Sequence, residues 1–538
     1  MTHSDWHSTP AERDAPGGSE AHSAAQASTP AQNPSMDARL HGLPVRATRL
    51  IRSARQAIEN ERIGEAEQLL ARAQPFAGSH PEFLRLLGVT HILQKRAGEA
   101  ATVLRRALDL QPSDPLIMVN FGSALREAGQ LEIATVLLRR ACEIAPDLAA
   151  AWANLGAALA AHAEIGEALQ AYQRALERDP DHITARIGYA NALKNTGQMR
   201  EAAVEYRTVL AKQPRMIGAW LGLSHIKSVK LTGEELAQLQ ALFTNAAVDE
   251  QNRLMTGFAL ARALEDHERY TEAFAVLCAA NAIKRRQVEW DAAKFSAHVA
   301  AIARAFSKPS ATAADPDQGS EVIFVVSLPH SASALTEQIL AAHPDVDGAN
   351  ESTGLDAVIE EESRRRQRAF PDWVGETSPA DWKRLGQRYL ERSARSRQSR
   401  PRFIDKGLSN WQYIGAAMAM LPGARFVNCR RDPVETCFAC FRQLFARGHA
   451  FTYDIGDLTA YWREYDHLMR YWHARYPHRV YDQVYENLLA DPQTQTRRLL
   501  DFCGLPFHAG ERVMRKAYAA RARKYGALLA PLRQALGL

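Results

Sequence analysis

No stretch of this 538-residue sequence approaches the ~20 consecutive apolar residues that a helix needs to cross a bilayer. The N-terminal stretch Met1–Met36 is rich in Ser, Ala, Pro, Gln and His and has no apolar core, so it reads neither as a signal peptide nor as an anchor. Cysteine is scarce: Cys142, Cys278, Cys429, Cys437, Cys440 and Cys503 are scattered, which suggests no disulfide framework. Cys437 and Cys440 form a C-x-x-C, but no second pair and no nearby histidine pair completes a zinc site, so no metal is expected. Charge of one sign is also lacking. The formal net charge of +5 is small for this length, and the basic excess falls after Glu321. That suits a small polyanionic ligand and is too mild to argue for duplex nucleic acid, which needs a dense basic face. These absences together leave a cytoplasmic location as the expectation.

What the sequence does contain is periodicity. Prolines recur at Pro112, Pro146, Pro180 and Pro214, each 34 residues after the last. Alanines keep the interval at Ala66, Ala100, Ala134, Ala168 and Ala202, and again at Ala73, Ala107, Ala141 and Ala175. Gly88, Gly122 and Gly156 follow the same beat, and Trp152 and Trp220 stand two intervals apart. A helix–turn–helix unit explains the pattern. Small residues let two antiparallel helices approach, and proline ends the second helix and sets the turn into the next unit. The unit is identified as the tetratricopeptide repeat, over about Ala47–Arg215, with five units expected and the first a capping one. A concave surface for a protein or peptide partner follows from such stacking. The expected organisation is a disordered tail over 1–46, repeats over 47–216 and a helical extension over 217–306. A Ser/Ala/Pro/Asp linker over 307–320 and an α/β domain over 321–538 complete it.

The α/β domain opens on EVIFVVSLPHSASALTEQILAAHP. Val322–Val326 is a continuous β-branched and aromatic run, the sign of a strand buried on both faces of a parallel sheet. A loop of small residues, Ser327–Ala334, leads to a helical pattern from Leu335 to Ala342. Strand, small-residue loop and helix N-terminus together make a P-loop-like anion site, because orphan backbone N–H groups and the helix dipole both face the loop. Further strands are expected at Arg402–Ile404, Arg425–Cys429 and Arg479–Val484. Helices are expected at Trp411–Met420, Val434–Phe445, Leu458–Tyr476 and Pro492–Cys503.

Four blocks in order carry a family resemblance: VVSLPHSASALTEQILAAHP, FIDKGLSNWQYIGAAMAMLPGARFVNCRRDPVETCFACF, VYENLLADP and RRLLDFCGLPF. They resemble the sulfotransferases that use 3′-phosphoadenosine-5′-phosphosulfate (PAPS), in the branch fused to tetratricopeptide repeats. The resemblance implies an all-α repeat solenoid followed by a parallel-sheet sulfotransferase domain, with PAPS as sulfonate donor and no metal. It also implies donor-binding roles for His330, Ser331, Ala332, Ser333, Ala334, Leu335, Arg431 and Ala439, with Arg431 on the 3′-phosphate. Glu351 would be the general base for an acceptor hydroxyl, and Lys406 would neutralise the departing bridging oxygen. An ordinary nucleotide triphosphatase loop needs G-x-x-x-x-G-K-[ST], and this loop has neither the lysine nor a glycine.

The loop departs from the family pattern P-R-S-G-[ST]-T-L in three places. His330 replaces arginine and, with an ordinary pKa near ~6.5, is a weaker phosphate partner at neutral pH. Ala332 replaces glycine, at a cost on the order of 1–2 kcal/mol if the backbone needs positive φ. Ala334 removes a hydroxyl worth about 0.5–1.5 kcal/mol. Ala439 likewise stands where the family has a serine on the 3′-phosphate. Two readings follow from the residues. One is a sulfotransferase acting on a hydroxyl of a protein or peptide recruited by the repeats. The other is a catalytically impaired scaffold whose repeats bind a protein partner.

Overall fold

The computed structural model describes residues 36–308, 312–313, 315–348, 354–394, 400–407, 409–446, 448–507 and 520–538. These fall into two compact units, one ending at Arg269 and the other beginning at Tyr270.

The first unit is all-α. Five antiparallel helix pairs run in order: Val45–Glu59 with Ile63–Ala77, Pro81–Leu93 with Ala97–Leu110, Pro115–Glu127 with Leu131–Ile144, Ala149–Ala161 with Ile165–Arg178, and Ile183–Asn195 with Met199–Lys212. Both alanine series are fully buried where the helices meet. The glycines are required by close approach. A Cβ on Gly88 would lie 2.4 Å from Leu104 Cγ, and one on Gly122 would lie 2.5 Å from Leu138 Cγ. The paired tryptophans do one job twice, since Trp152 Nε1 donates to the Pro146 carbonyl at 2.7 Å and Trp220 Nε1 to that of Pro214 at 2.8 Å. Each ties a first helix back to the turn that precedes it.

The residues before the repeats are more ordered than a tail. Met36–Arg39 is helical and Leu40 is buried. Arg39 Nε meets Glu82 Oε2 at 2.8 Å, and its Nη2 meets Asp114 Oδ2 at 2.7 Å. Arg85 holds the other Glu82 oxygen at 2.7 Å. Buried carboxylates shared between two guanidiniums do not announce themselves in composition, which is why composition sets the end of the tail too late, at residue 46.

The second unit begins earlier than its linker suggests. Helices Tyr270–Gln287 and Ala292–Ala305 belong to it. The Asn281 amide donates to the Phe441 carbonyl at 2.9 Å, and Arg285 Nε pairs with Asp457 Oδ2 at 2.7 Å. Part of the stretch read as a linker is bonded to the domain as well: Ala313 N donates to Ala419 O at 2.8 Å and Gln318 Nε2 to Met420 O at 3.0 Å.

Its centre is a five-stranded, all-parallel sheet of β1 (Val322–Ser327), β2 (Val346–Asp347), β3 (Arg402–Asp405), β4 (Arg425–Arg430) and β5 (Val480–Val484), in the order β2-β3-β1-β4-β5. Every residue of β1 is buried, as its unbroken apolar run requires. Phe324 stacks on Phe426 on one face, with centroids 4.7 Å apart. On the other face Ile323, Val325 and Val427 pack with Leu335, Ile339, Leu499 and Leu500. The two-residue β2 was not expected, being too short to show a pattern. The helix expected over Val434–Phe445 ends at Phe441, where the chain turns to bring Phe445 against Tyr453, whose hydroxyl accepts from its N–H at 3.1 Å.

Burial pushes the Glu82 carboxyl up, but Arg85 and Arg39 outweigh it and bring it down to about 2. A folded-state pKa below the unfolded value stabilises above the unfolded pKa, and the benefit is lost as pH falls through the folded one. Glu82→Gln is therefore expected to lower stability by roughly 3 kcal/mol at neutral pH. In paired acid melts the gap from the native chain should narrow below about pH 4.5 and vanish near pH 2. A gap independent of pH would show that the guanidiniums do not hold the carboxylate.

Candidate functional site

The strand order reverses direction between β1 and β4. The chain leaving β1 runs toward β2 on one side, and the chain leaving β4 runs toward β5 on the other. A crevice at the carboxyl ends of such a pair is where open parallel sheets bind ligands. The loop after β1 and the Arg430–Pro433 segment after β4 meet there.

In the loop, His330 and Ala332 both have left-handed backbone, with φ of 64° and 68°. Ala332 is the N-cap of helix Ser333–Ala341 and offers no side-chain hydrogen bond to its first turn. Leu335 N donates to the Ala332 carbonyl at 3.1 Å, which leaves the Ser333 and Ala334 amides of that turn for a ligand, next to the positive end of the helix dipole. Leu335 roots the helix in the core, Ser331 is buried, and Ser333 and Ala334 are half-buried at the helix start. Ala332 thus has the positive φ under which a methyl, where the family pattern has glycine, is expected to cost stability.

Two expected cations reach this element. Arg431 lies just past β4, with its side chain only 5% exposed. Its Nη1 donates to the His330 carbonyl at 3.3 Å, its Nη2 meets Glu435 Oε2 at 3.3 Å, and the guanidinium lies over the Tyr485 ring at 5.5 Å. Lys406 lies just past β3, and its Nζ meets Glu337 Oε2 at 2.5 Å, on the helix that follows the loop. Glu351 lies outside the described residues. Ala439 is half-buried on helix Pro433–Phe441, next to Cys440, whose Sγ lies 3.5 Å from the Pro329 carbonyl. Its methyl brings no hydroxyl to that helix face.

The four sequence blocks prove to be mutual partners. The first meets the second through Lys406 and Glu337, and through Cys429 Sγ and Thr336 Oγ1 at 3.3 Å. The second meets the third where Asp432 N donates to Glu486 Oε1 at 2.9 Å. The first meets the fourth through His343, a fully buried ring whose Nε2–H donates to the Pro506 carbonyl at 2.9 Å. Asp432 Oδ1 accepts from Glu435 N at 2.9 Å and caps its helix. Asp405 is fully buried, accepting from Tyr389 Oη at 2.6 Å and Asn410 Nδ2 at 2.8 Å. Neither aspartate is free for chemistry.

Sequence reasoning missed Glu337 and Glu435, the carboxylates that hold the two cations. The signal was present: Glu337 sits between Leu335 and Ile339, and a charge on an apolar helix face needs a partner. It also missed Asp356, whose Oδ2 accepts from Ser409 Oγ at 2.6 Å, three residues beyond Lys406. Burial, reinforced by the charge of Glu360, raises the Asp356 carboxyl above its usual range. Cys437 and Cys440 are buried, and burial holds the Cys437 thiol high. Among the described residues no group of three or more His, Cys, Asp or Glu side chains could hold a metal ion, and no helix is long and apolar enough to cross a membrane.

Fold and site define a class: a parallel α/β domain with an anion-binding loop at its switch point, joined in one chain to a helical repeat array. Comparison with known proteins makes the assignment specific. A sulfotransferase family model matches residues 322–509, and tetratricopeptide repeat models match 51–115, 119–183 and 159–223. The chain therefore joins an array of tetratricopeptide repeats to a C-terminal domain of the sulfotransferase family. An uncharacterized protein of Aquifex aeolicus (strain VF5) is 28% identical over 294 residues, which are 52% of this chain and 38% of that one. The chain thus spans well under half the length of that relative. Among solved structures, a thermophilic tetratricopeptide repeat protein of Thermus thermophilus is 20% identical, covering 34% of this chain and 100% of its own, with a TM-score of 0.32. One from Parabacteroides merdae ATCC 43184 is 18% identical, covering 45% and 94%, with a TM-score of 0.33.

Because Ala332 sits at φ 68°, Ala332→Gly is expected to stabilise the protein by about 1 kcal/mol in denaturant titrations, the relief of the methyl exceeding the added chain entropy. A loss of stability would mean that the left-handed turn is not the resting state of the loop.

Proposed function

We propose that the C-terminal domain transfers a sulfonate group from PAPS to a hydroxyl on a protein or peptide recruited by the repeats. The observation that carries this reading is the approach of Arg431 to the loop, through the His330 carbonyl, at the crevice between β1 and β4. The uncapped first-turn amides beside it fit a phosphate group. PAPS supplies an activated sulfonate and a phosphorylated nucleotide leaving group; the rest falls to the chain. The Ser333 hydroxyl and the backbone amides of Ala332, Ser333 and Ala334 hold the 5′ end, while Ser331 N and Leu335 N, bonded to the Leu328 and Ala332 carbonyls, shape the loop around it. Arg431 takes the 3′-phosphate, its planar fork pre-aligned by Glu435. Ala439 contributes only backbone and a methyl beside that phosphate. Lys406 turns from Glu337 to offset charge on the departing oxygen, and Glu351 accepts the acceptor's proton. All six cysteines are unpaired, which supports a reducing compartment and so the cytoplasm.

The second reading, an impaired scaffold, draws on the same loop. Ala334 brings no hydroxyl, His330 no fixed charge, and Ala332 carries a strained backbone. Calorimetric titration with 3′-phosphoadenosine-5′-phosphate, the desulfated product, separates the two. Binding should be measurable and should weaken at least about tenfold in Arg431→Ala. The triple change His330→Arg, Ala332→Gly, Ala334→Thr should tighten it by about tenfold or more. Absence of heat at millimolar ligand in the native chain would leave the scaffold reading standing. Unchanged affinity in the triple variant would show that the nucleotide lies elsewhere.

A further inference from the structure

In four of the five repeats the second helix carries an arginine at the same place, Arg72, Arg106, Arg140 and Arg174 at 34-residue intervals; the fifth has Thr208. One turn further along stand Phe76, Leu110 and Ile144, and then Arg178. In a stacked solenoid a fixed interval returns to the same face one layer on, so these residues form two adjacent rows. The alanine after each arginine is buried, and the arginines themselves are exposed. Phe76, Leu110 and Ile144 are 44%, 51% and 41% exposed. At the first layer Arg46 lies over the Phe76 ring at 5.2 Å, beside an exposed Val45.

The third repeat adds a line across these rows. Where the other repeats carry Glu65, Glu99, Glu167 and Glu201, it has Ile133. Ile133, Val136, Arg140 and Ile144 follow one another at i+3 and i+4 spacing on helix Leu131–Ile144. Ile133 is 57% and Val136 70% exposed. Other arginines of the array are neutralised, between layers as in Arg96 with Glu67 and Arg139 with Glu167, or within a repeat as in Arg186 with Glu205. Arg72, Arg106 and Arg140 close no ion pair with a described carboxylate, although Asp109 and Glu143 stand three residues beyond two of them.

We infer that this outer face of the second helices, centred on helix Leu131–Ile144, docks an acidic segment of a partner protein that also carries apolar anchors. The arginine row supplies the complementary charge, and the apolar row and line supply the anchoring sites. A phosphate backbone would satisfy the arginines and leave Ile133, Val136 and Ile144 without partners, so an acidic amphipathic peptide fits better than nucleic acid. The inference names the chemistry of the partner and rests on the repeats alone, whatever the C-terminal domain transfers.

The test uses the full chain and a short fluorescein-labelled peptide of repeated Glu-Leu-Asp-Glu units, followed by anisotropy. Comparison ligands are a Lys-Leu-Gln-Lys peptide, a labelled DNA duplex and phosphatidylserine vesicles. The acidic peptide should bind saturably, and the lysine peptide should not. Two triple variants, Arg72→Glu/Arg106→Glu/Arg140→Glu and Ile133→Gln/Val136→Gln/Ile144→Ser, should each weaken binding about tenfold or more. Both alter exposed positions, and an unchanged thermal melt confirms that they fold. Failure of the acidic peptide to bind would overturn the inference, as would binding insensitive to either triple variant. Tighter binding of DNA or vesicles, lost only in the arginine variant, would make the face a general anion surface and overturn it too.

Discussion

Parallel pairing of β1 with β3 on one side and β4 on the other is the constraint from which the C-terminal domain follows. It sets Val322 beside Phe403 and Ser327 beside Cys429. Three chain segments far apart in sequence therefore end at one edge. Only because those strands are parallel do Lys406 and Arg431, each just past its strand, arrive at the loop and helix that follow β1. A slip of one residue in either pairing would turn every side chain to the opposite face and part the cations from the loop.

The edge is electrostatically self-contained. Each of the two cations is matched by a helix carboxylate: Glu337, mid-helix after the loop, for Lys406, and Glu435, in the first turn after β4, for Arg431. Burying an unmatched charge costs several kcal/mol, so such pairs keep the cations in place without a ligand. They also mean that a bound phosphate must compete with a carboxylate. The C-terminal segment joins the same arrangement, since Arg523 N donates to Glu435 Oε1 at 3.3 Å and Tyr525 packs on Phe438 with centroids 4.5 Å apart. Strain in the loop and competition for the cations would both lower the affinity for the nucleotide donor proposed above.

Much of this was legible in the residues. The 34-residue beat located five helix pairs because repeat packing depends on small side chains at fixed places, and alanine and glycine are easily read. The unbroken apolar run marked β1, and the block R-R-D-P placed Arg431 just past a strand. What could not be read was set by tertiary contact. Arg39 belongs to the fold through Glu82 and Asp114, 43 and 75 residues away. Helices Tyr270–Gln287 and Ala292–Ala305 look like a continuation of the array, and only tertiary contacts assign them to the second unit: bonds from the first to Phe441 and Asp457, and the stacking of Phe295, on the second, against Tyr461. The partners of the two cations escaped notice for the same reason. A single glutamate in a helix carries no sign of which lysine or arginine it will meet.

The central claim is that the loop after β1 and the segment after β4 hold one nucleotide between them. Amide hydrogen exchange with and without 3′-phosphoadenosine-5′-phosphate tests it at the residues concerned. The account requires slowed exchange at Ser331–Thr336 and at Arg431–Glu435 together, with little change in the repeats. Protection at neither segment, or protection centred elsewhere in the domain, would contradict it.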